Sequence, residues 1–218
     1  MISLHWFRQA RSISFSVRHY VLLAALILYI LLDPVFNGSP VIATTLGSIL
    51  LLAAIDCLDL DKRTFLASRW FGVLVLALGW VVISMEHPVL QGVFAVIRVL
   101  FLAFVSGALI YQTAKAREVS LSVIVGAVDG YLLLGIIGAA AFHFAESLAP
   151  GSIQPPGGQD VFGNALYLSF VTLTTLGYGD FIPISNTAKT IAILLATTGQ
   201  LYIAVLIALL VGKFASKQ

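Results

Sequence analysis

The segment "TLTTLGYGD" at residues 172–180 concentrates the residue types that could do chemistry. Gly177 and Gly179 stand at alternate positions. Glycine adopts positive φ at little steric cost, so a strand of this pattern can turn successive carbonyls to one side. One such strand leaves bare dipoles. Four copies around an axis make stacked rings of oxygens that can replace a cation's water shell. The chemistry implied is cation coordination by backbone oxygens.

The elements that must position this segment lie in lipid. The chain has 218 residues, of which 60% are hydrophobic and 10% charged, with mean hydropathy +1.02. A soluble domain carries about a quarter charged residues, so the composition is that of an integral membrane protein. The net charge of +2 gives no basis for nucleic-acid binding. A single cysteine, Cys57, excludes an intrachain disulfide and a cysteine-based metal cluster. The first apolar run is too long for a signal peptide and has no small-residue cleavage site after it.

Apolar runs predict spanning helices at 19–36, 40–58, 65–85, 88–112, 119–145 and 186–213. Arg8, Arg11, Arg18, Lys62, Arg63, Arg69, Lys115, Arg117, Lys213 and Lys217 all fall at one side of this layout. The positive-inside rule therefore places both termini in the cytoplasm and residues 146–185 outside. Within that long connection, "ESLAPGSIQPPGG" (146–158) reads as an exposed loop. Asp160 is positioned to cap a helix over 161–174. At about 21 Å that helix is too short to span. It must enter the membrane and stop, and its C-terminal end carries partial negative charge toward the membrane centre. Residues 175–179 then return outward as a re-entrant strand, tolerated at such depth only if buried in protein or lining water.

Residues 119–218 resemble the pore module of potassium channels of the prokaryotic type. The parts are an outer helix (119–145), a pore helix (161–174), a filter (175–180) and an inner helix (186–213). "TTLGYGD" is similar to the family signature TTVGYGD at every position but one. The resemblance implies that the carbonyls of Thr175, Leu176, Gly177 and Tyr178, in a filter closed by Gly179, coordinate dehydrated K⁺ together with the Thr175 hydroxyl. It also implies Asp180 at the outer mouth. Gly199, 24 residues after Thr175, matches the family's hinge glycine. Leu176 departs from the usual Val or Ile. Tyr167 stands where many relatives have a Trp that bonds the Asp after the filter, so its hydroxyl is expected to reach Asp180. Val171 stands where another relative has a carboxylate.

Further expectations concern the inner helix and the front half. Gly199 is either the hinge or a site of close helix packing. Thr174 from above and Gln200 from below are expected to line a central cavity. Ile203, Ile207 and Val211 share the Gln200 face, and Ile207 and Val211 either close the pore by dewetting or simply pack. Arg98 is alone in the fourth helix, whereas a voltage sensor repeats arginine at every third position. Arg98 and Asp129 both sit about 15 Å deep, so an intramembrane Arg98–Asp129 pair is predicted. Asp56, Asp59 and Asp61 beside Lys62 and Arg63 read as a solvated cytoplasmic turn or a cation or proton sensor, and His143 as an interfacial or pH-tuning residue. Residues 1–18, with Trp6, Phe7, Phe15 and three arginines, read as a cytoplasmic segment on the anionic leaflet or as disorder.

The expected fold class is an all-α membrane protein. Four front helices occupy 19–118, and a re-entrant pore helix and selectivity filter lie between helices 5 and 6. The expected assembly is a homotetramer in lipid, in a bacterial inner membrane, with K⁺ as bound and permeant ion. No cofactor, nucleic acid or enzymatic activity is expected. Only a few residues follow the inner helix, so no cytoplasmic regulatory domain is expected on this chain. A weakly selective monovalent cation channel and a secondary transporter with a re-entrant loop are the alternatives.

Overall fold

The structure is a computed structural model that describes residues 2–36, 40–58, 62–84, 88–116, 120–155 and 161–215. Helices α1 (Ile2–Val35), α2 (Pro40–Asp56), α3 (Lys62–Ser84), α4 (Pro88–Lys115) and α5 (Leu121–Leu148) precede the strand β1 (Ile153–Gln154). Helix α6 (Val161–Leu173), strand β2 (Ile182–Pro183) and helix α7 (Asn186–Ala215) complete the chain. Local sequence sets several boundaries. Pro40 and Pro88 open α2 and α4, where the missing N–H removes no helical bond. Ser120 caps α5, its hydroxyl accepting from the Val123 amide. Helix α1 runs unbroken for 34 residues, so the division expected at residue 18 is not a break in the helix. The expected cap Asp160 lies outside the described residues.

Among the described residues, three helices are long and apolar enough to cross a membrane: Val17–Val35, Leu121–Leu148 and Asn186–Lys213. Shorter apolar stretches occupy Thr44–Asp56, Leu66–Val82 and Val99–Lys115 in the other front helices, and Val161–Leu173. Among the described residues the only strands form a two-residue antiparallel ladder, β1 with β2, pairing Ile153 with Pro183 and Gln154 with Ile182.

Helix α5 is the hub and packs against α1, α4, α6 and α7. One core cluster joins the front helices to it: Leu22, Leu26 and Tyr29 of α1, Leu51 and Ile55 of α2, Val105 and Leu109 of α4, and Leu133 and Ile136 of α5. A second cluster joins α5, α6 and α7 through Phe142, Ala165, Leu168, Leu173 and Leu195. Lipid is as apolar as these side chains, so close contact and interhelical hydrogen bonds carry the association. One such bond runs from the fully buried Ser169 hydroxyl on α6 to the Gly135 carbonyl on α5, at 2.6 Å.

Helix α7 differs from α5. It is apolar on all sides, yet Ile193, Leu194, Leu201, Val205, Ile207 and Val211 are each more than half exposed. An apolar helix this bare in one chain needs lipid or other chains around it.

Candidate functional site

Helix α6 ends at Leu173, and the next four amides fold back onto its last turn. Thr174 N–H donates to the Phe170 carbonyl at 3.0 Å and Thr175 N–H to Thr172 at 3.0 Å. Leu176 and Gly177 N–H both donate to the Val171 carbonyl, at 2.9 and 3.3 Å. These bonds satisfy carbonyls that a helix C-terminus otherwise leaves open. They also hold residues 174–177 by their amides. Among the described residues, no hydrogen bond is made to a carbonyl of residues 174–179.

The backbone torsions follow the alternation expected from the glycines. Thr175, Gly177 and Gly179 have φ of 58°, 60° and 81°. Positive φ at every second residue turns alternate peptides over, the condition for successive carbonyls to face one way. Thr175 takes this conformation without being glycine, at about 1–2 kcal/mol. Residues 174–180 are exposed in the single chain, with Leu176 and Tyr178 projecting. The Thr174 hydroxyl turns back to the Phe170 carbonyl at 2.7 Å.

Above this stretch the polypeptide is tied down. The Tyr167 hydroxyl donates to Asp180 Oδ2 at 2.6 Å, and Phe181 N–H to Asp180 Oδ1 at 3.0 Å. Tyr167 and Phe181 meet edge to face. In the loop before α6, the Glu146 carboxylate accepts from the Gly151 and Ile153 amides at 2.7 and 2.9 Å. The Ser152 carbonyl accepts from Ile184 N–H at 2.7 Å. Both ends of the 174–180 segment are therefore anchored.

The hydrogen bond from Tyr167 holds the Asp180 carboxyl below the usual carboxylate range. A carboxyl with a lowered pKa keeps its charge further into acid. In Tyr167→Phe this donor is lost and the pKa rises toward the ordinary value. The Asp180 titration, followed by NMR of the purified protein in detergent, is therefore expected to lie at higher pH in the variant than in the parent protein.

Gly199 lies buried against the end of α6. A Cβ built there would stand 2.5 Å from the Leu173 carbonyl oxygen and 2.8 Å from Leu173 Cδ1. The same carbonyl accepts from the Tyr131 hydroxyl of α5 at 3.2 Å. Close approach is what this glycine provides in the structure. Gly199→Ala is expected to destabilise by about 1–3 kcal/mol through overpacking, read as a lower melting temperature in detergent. A glycine acting as hinge alone would give the opposite sign, since alanine favours a helix by up to about 1 kcal/mol. Gln200, Ile203, Ile207 and Val211 are all exposed on α7.

Asp129 of α5 is fully buried, and its Oδ2 lies 3.0 Å from His19 Nδ1 of α1. Oδ1 has no hydrogen-bond partner among the described residues. The expected partner Arg98 belongs to α4, but its side chain lies outside the described residues. His19 was not anticipated. Its signal is its register: His19, Leu22, Leu26, Tyr29 and Asp33 recur every three or four residues, and all are buried. Neither Tyr131 nor Tyr202 carries such a signal. Tyr202 of α7 donates to the Ala127 carbonyl of α5 at 2.5 Å, and its ring packs 5.7 Å from that of Tyr131.

Asp56 makes a partly exposed ion pair with Arg69 at 3.8 Å, as a solvated turn does. Asp59 and Asp61 lie outside the described residues, as do the side chains of Lys62, Arg63, Trp6, Phe7 and Phe15. His143 packs edge-on against Phe162. Among the described residues, no group of three or more His, Cys, Asp or Glu is placed to hold a metal ion.

A family model described as an ion channel matches residues 130–216. Two-pore potassium channel 4 of Arabidopsis thaliana is 37% identical over 59 residues, which are 27% of this chain. The match spans 21% of that relative's length. No solved structure matches the chain. The family match covers α6, residues 174–180, α7 and the second half of α5, the parts assembled above. Together with the apolar helices it supports a membrane protein of the ion-channel class.

Proposed function

We propose that the chain is one subunit of a homotetrameric, K⁺-selective channel. The observation that carries this reading is the positive φ at Thr175, Gly177 and Gly179, on a segment held by its amides. Four such segments around an axis present rings of carbonyls from Thr175, Leu176, Gly177 and Tyr178, with the Thr175 hydroxyl below. A dehydrated cation exchanges its water for these oxygens. The C-terminal end of α6 adds partial negative charge beneath them. Asp180 places a carboxylate at the mouth.

On this reading α1–α5 and α7 supply six spans, α6 is the re-entrant helix, and both termini are cytoplasmic. Four copies also account for the exposure of α7. Gln200, Ile203, Ile207 and Val211 then face the axis, and Ile207 and Val211 narrow it at the inner end. Arg98 and Asp129 remain a proposed intramembrane pair, sharing the carboxylate with His19. Liposomes containing the purified protein are expected to take up K⁺ and Rb⁺ but not Na⁺, with uptake blocked by Ba²⁺. Equal Na⁺ uptake would leave a weakly selective cation channel in place of this reading.

A further inference from the structure

The last four carbonyls of α6 go to different donors. The amides that follow the helix serve three of them. Phe170 accepts from Thr174, Val171 from Leu176 and Gly177, and Thr172 from Thr175. A continued helix would give the Gly177 N–H to the Leu173 carbonyl, but that amide goes to Val171. The Leu173 carbonyl is served from another helix. Among the described residues its donor is the Tyr131 hydroxyl of α5, at 3.2 Å. Leu173 is fully buried, and a buried carbonyl without a donor costs about as much as a lost hydrogen bond.

Tyr131 is itself held. Its ring lies 5.7 Å from that of Tyr202, whose hydroxyl is tied to the Ala127 carbonyl of α5. Gly199 brings the α7 backbone against the same Leu173 oxygen, where a Cβ would stand 2.5 Å away. The oxygen is thus fixed from two sides, by a hydroxyl of α5 and by the backbone of α7. Its peptide leads directly into Thr174 and Thr175. Thr175 holds φ 58°, a conformation that a residue with a side chain keeps only where its surroundings impose it.

We propose that Tyr131 is a positioning residue for K⁺ selection, acting through the Leu173 carbonyl on the oxygens of Thr175. The inference rests on the carbonyl filter proposed above. With the phenol in place, the Leu173–Thr174 peptide cannot turn over without breaking a buried hydrogen bond. Thr175 therefore keeps its positive φ, and its carbonyl and hydroxyl stay in place for the ion. Without the phenol, the Leu173 carbonyl turns toward water below the filter, and Thr175 relaxes with it. Selection depends on the number and field of the coordinating oxygens. A filter that loses those of Thr175 discriminates less between K⁺ and Na⁺.

Reversal potentials of the purified full chain in planar bilayers test this, with K⁺ on one side and equal Na⁺ on the other. The potential does not depend on how many channels have folded, so a merely structural role leaves it unmoved. Tyr131→Phe keeps the ring and removes the hydroxyl. It is expected to lower the K⁺-to-Na⁺ permeability ratio about tenfold, a movement of about 59 mV toward zero. Tyr202→Phe loses a hydroxyl bonded away from residues 174–180 and is expected to keep the parent ratio. Placing 4-aminophenylalanine at position 131 returns an N–H donor to the same ring and is expected to restore the ratio. If Tyr131→Phe does not assemble alone, co-expression with the parent chain yields mixed assemblies. Their single-channel reversal potentials are then expected to spread from the parent value toward zero. A selective parent protein with an unchanged ratio in Tyr131→Phe, or no spread in the mixed assemblies, overturns the inference alone. So does an equal fall in Tyr202→Phe, or a ratio still low with 4-aminophenylalanine. A parent protein without selectivity overturns the filter reading, and this inference with it.

Discussion

Replacing Gly177 with alanine is expected to abolish K⁺ uptake into liposomes while the protein still assembles. Gly177 has φ 60°, and no atom lies within 4 Å of a Cβ built on it. The effect is therefore conformational and not a clash inside the chain. An L-residue in the left-handed region costs about 1–2 kcal/mol. In the proposed tetramer four subunits carry that strain at once, about 4–8 kcal/mol per assembly. Thr175, two residues away, already sits at φ 58°. The backbone is expected to relax by turning a peptide over, which breaks a ring of oxygens. Gly107 supplies the comparison: it is helical, and nothing lies within 4 Å of its Cβ position. Gly107→Ala is expected to leave uptake unchanged and to stabilise by up to about 1 kcal/mol. Normal K⁺ uptake by Gly177→Ala would detach conduction from this backbone conformation.

The second large effect is on stability. His19→Leu leaves the Asp129 carboxylate fully buried without its one hydrogen-bond partner among the described residues. Removing one member of a buried polar pair costs about 3–5 kcal/mol. For a chain of this size that is a fall of about 10 °C in melting temperature, measurable in detergent. Replacing both residues with leucine is expected to recover most of the loss, because the uncompensated carboxylate is gone as well. A double variant as unstable as His19→Leu and Asp129→Leu summed would mean that the two side chains act independently. The location gives the pair its weight. It fastens α1 to α5 beside Ala127, whose carbonyl takes the Tyr202 hydroxyl of α7. Loosening it is expected to loosen α7 too.

Much of the architecture was readable in residue order. Helices predicted at 88–112 and 186–213 appear as Pro88–Lys115 and Asn186–Ala215, and the half-length helix over 161–174 as Val161–Leu173. Long apolar runs between polar breaks have only one good solution in lipid, which is why they are legible. The Tyr167–Asp180 hydrogen bond was legible for a different reason. A phenol on α6 and a carboxylate 13 residues later are joined by a connection short enough to fix them as partners.

Partners across long sequence separations were harder. Asp129 plainly needed a partner, and depth alone pointed to Arg98. Depth does not fix which helices are neighbours or which way a side chain turns. His19, 110 residues earlier, meets Asp129 because α1 packs along α5. Nothing in the apolar pattern specified that pairing. Gly199 is a similar case. Its position matched a hinge, yet contact with the Leu173 carbonyl gives it a packing role that spacing along the chain does not reveal.

The central claim is that backbone oxygens of residues 175–178 select K⁺. The most direct measurement is the reversal potential of the purified protein in a planar bilayer, with K⁺ on one side and an equal concentration of Na⁺ on the other. Each factor of ten in permeability ratio moves that potential by about 59 mV. The account predicts a displacement of more than 59 mV toward the K⁺ equilibrium potential. A reversal potential near zero, with current flowing, would contradict it.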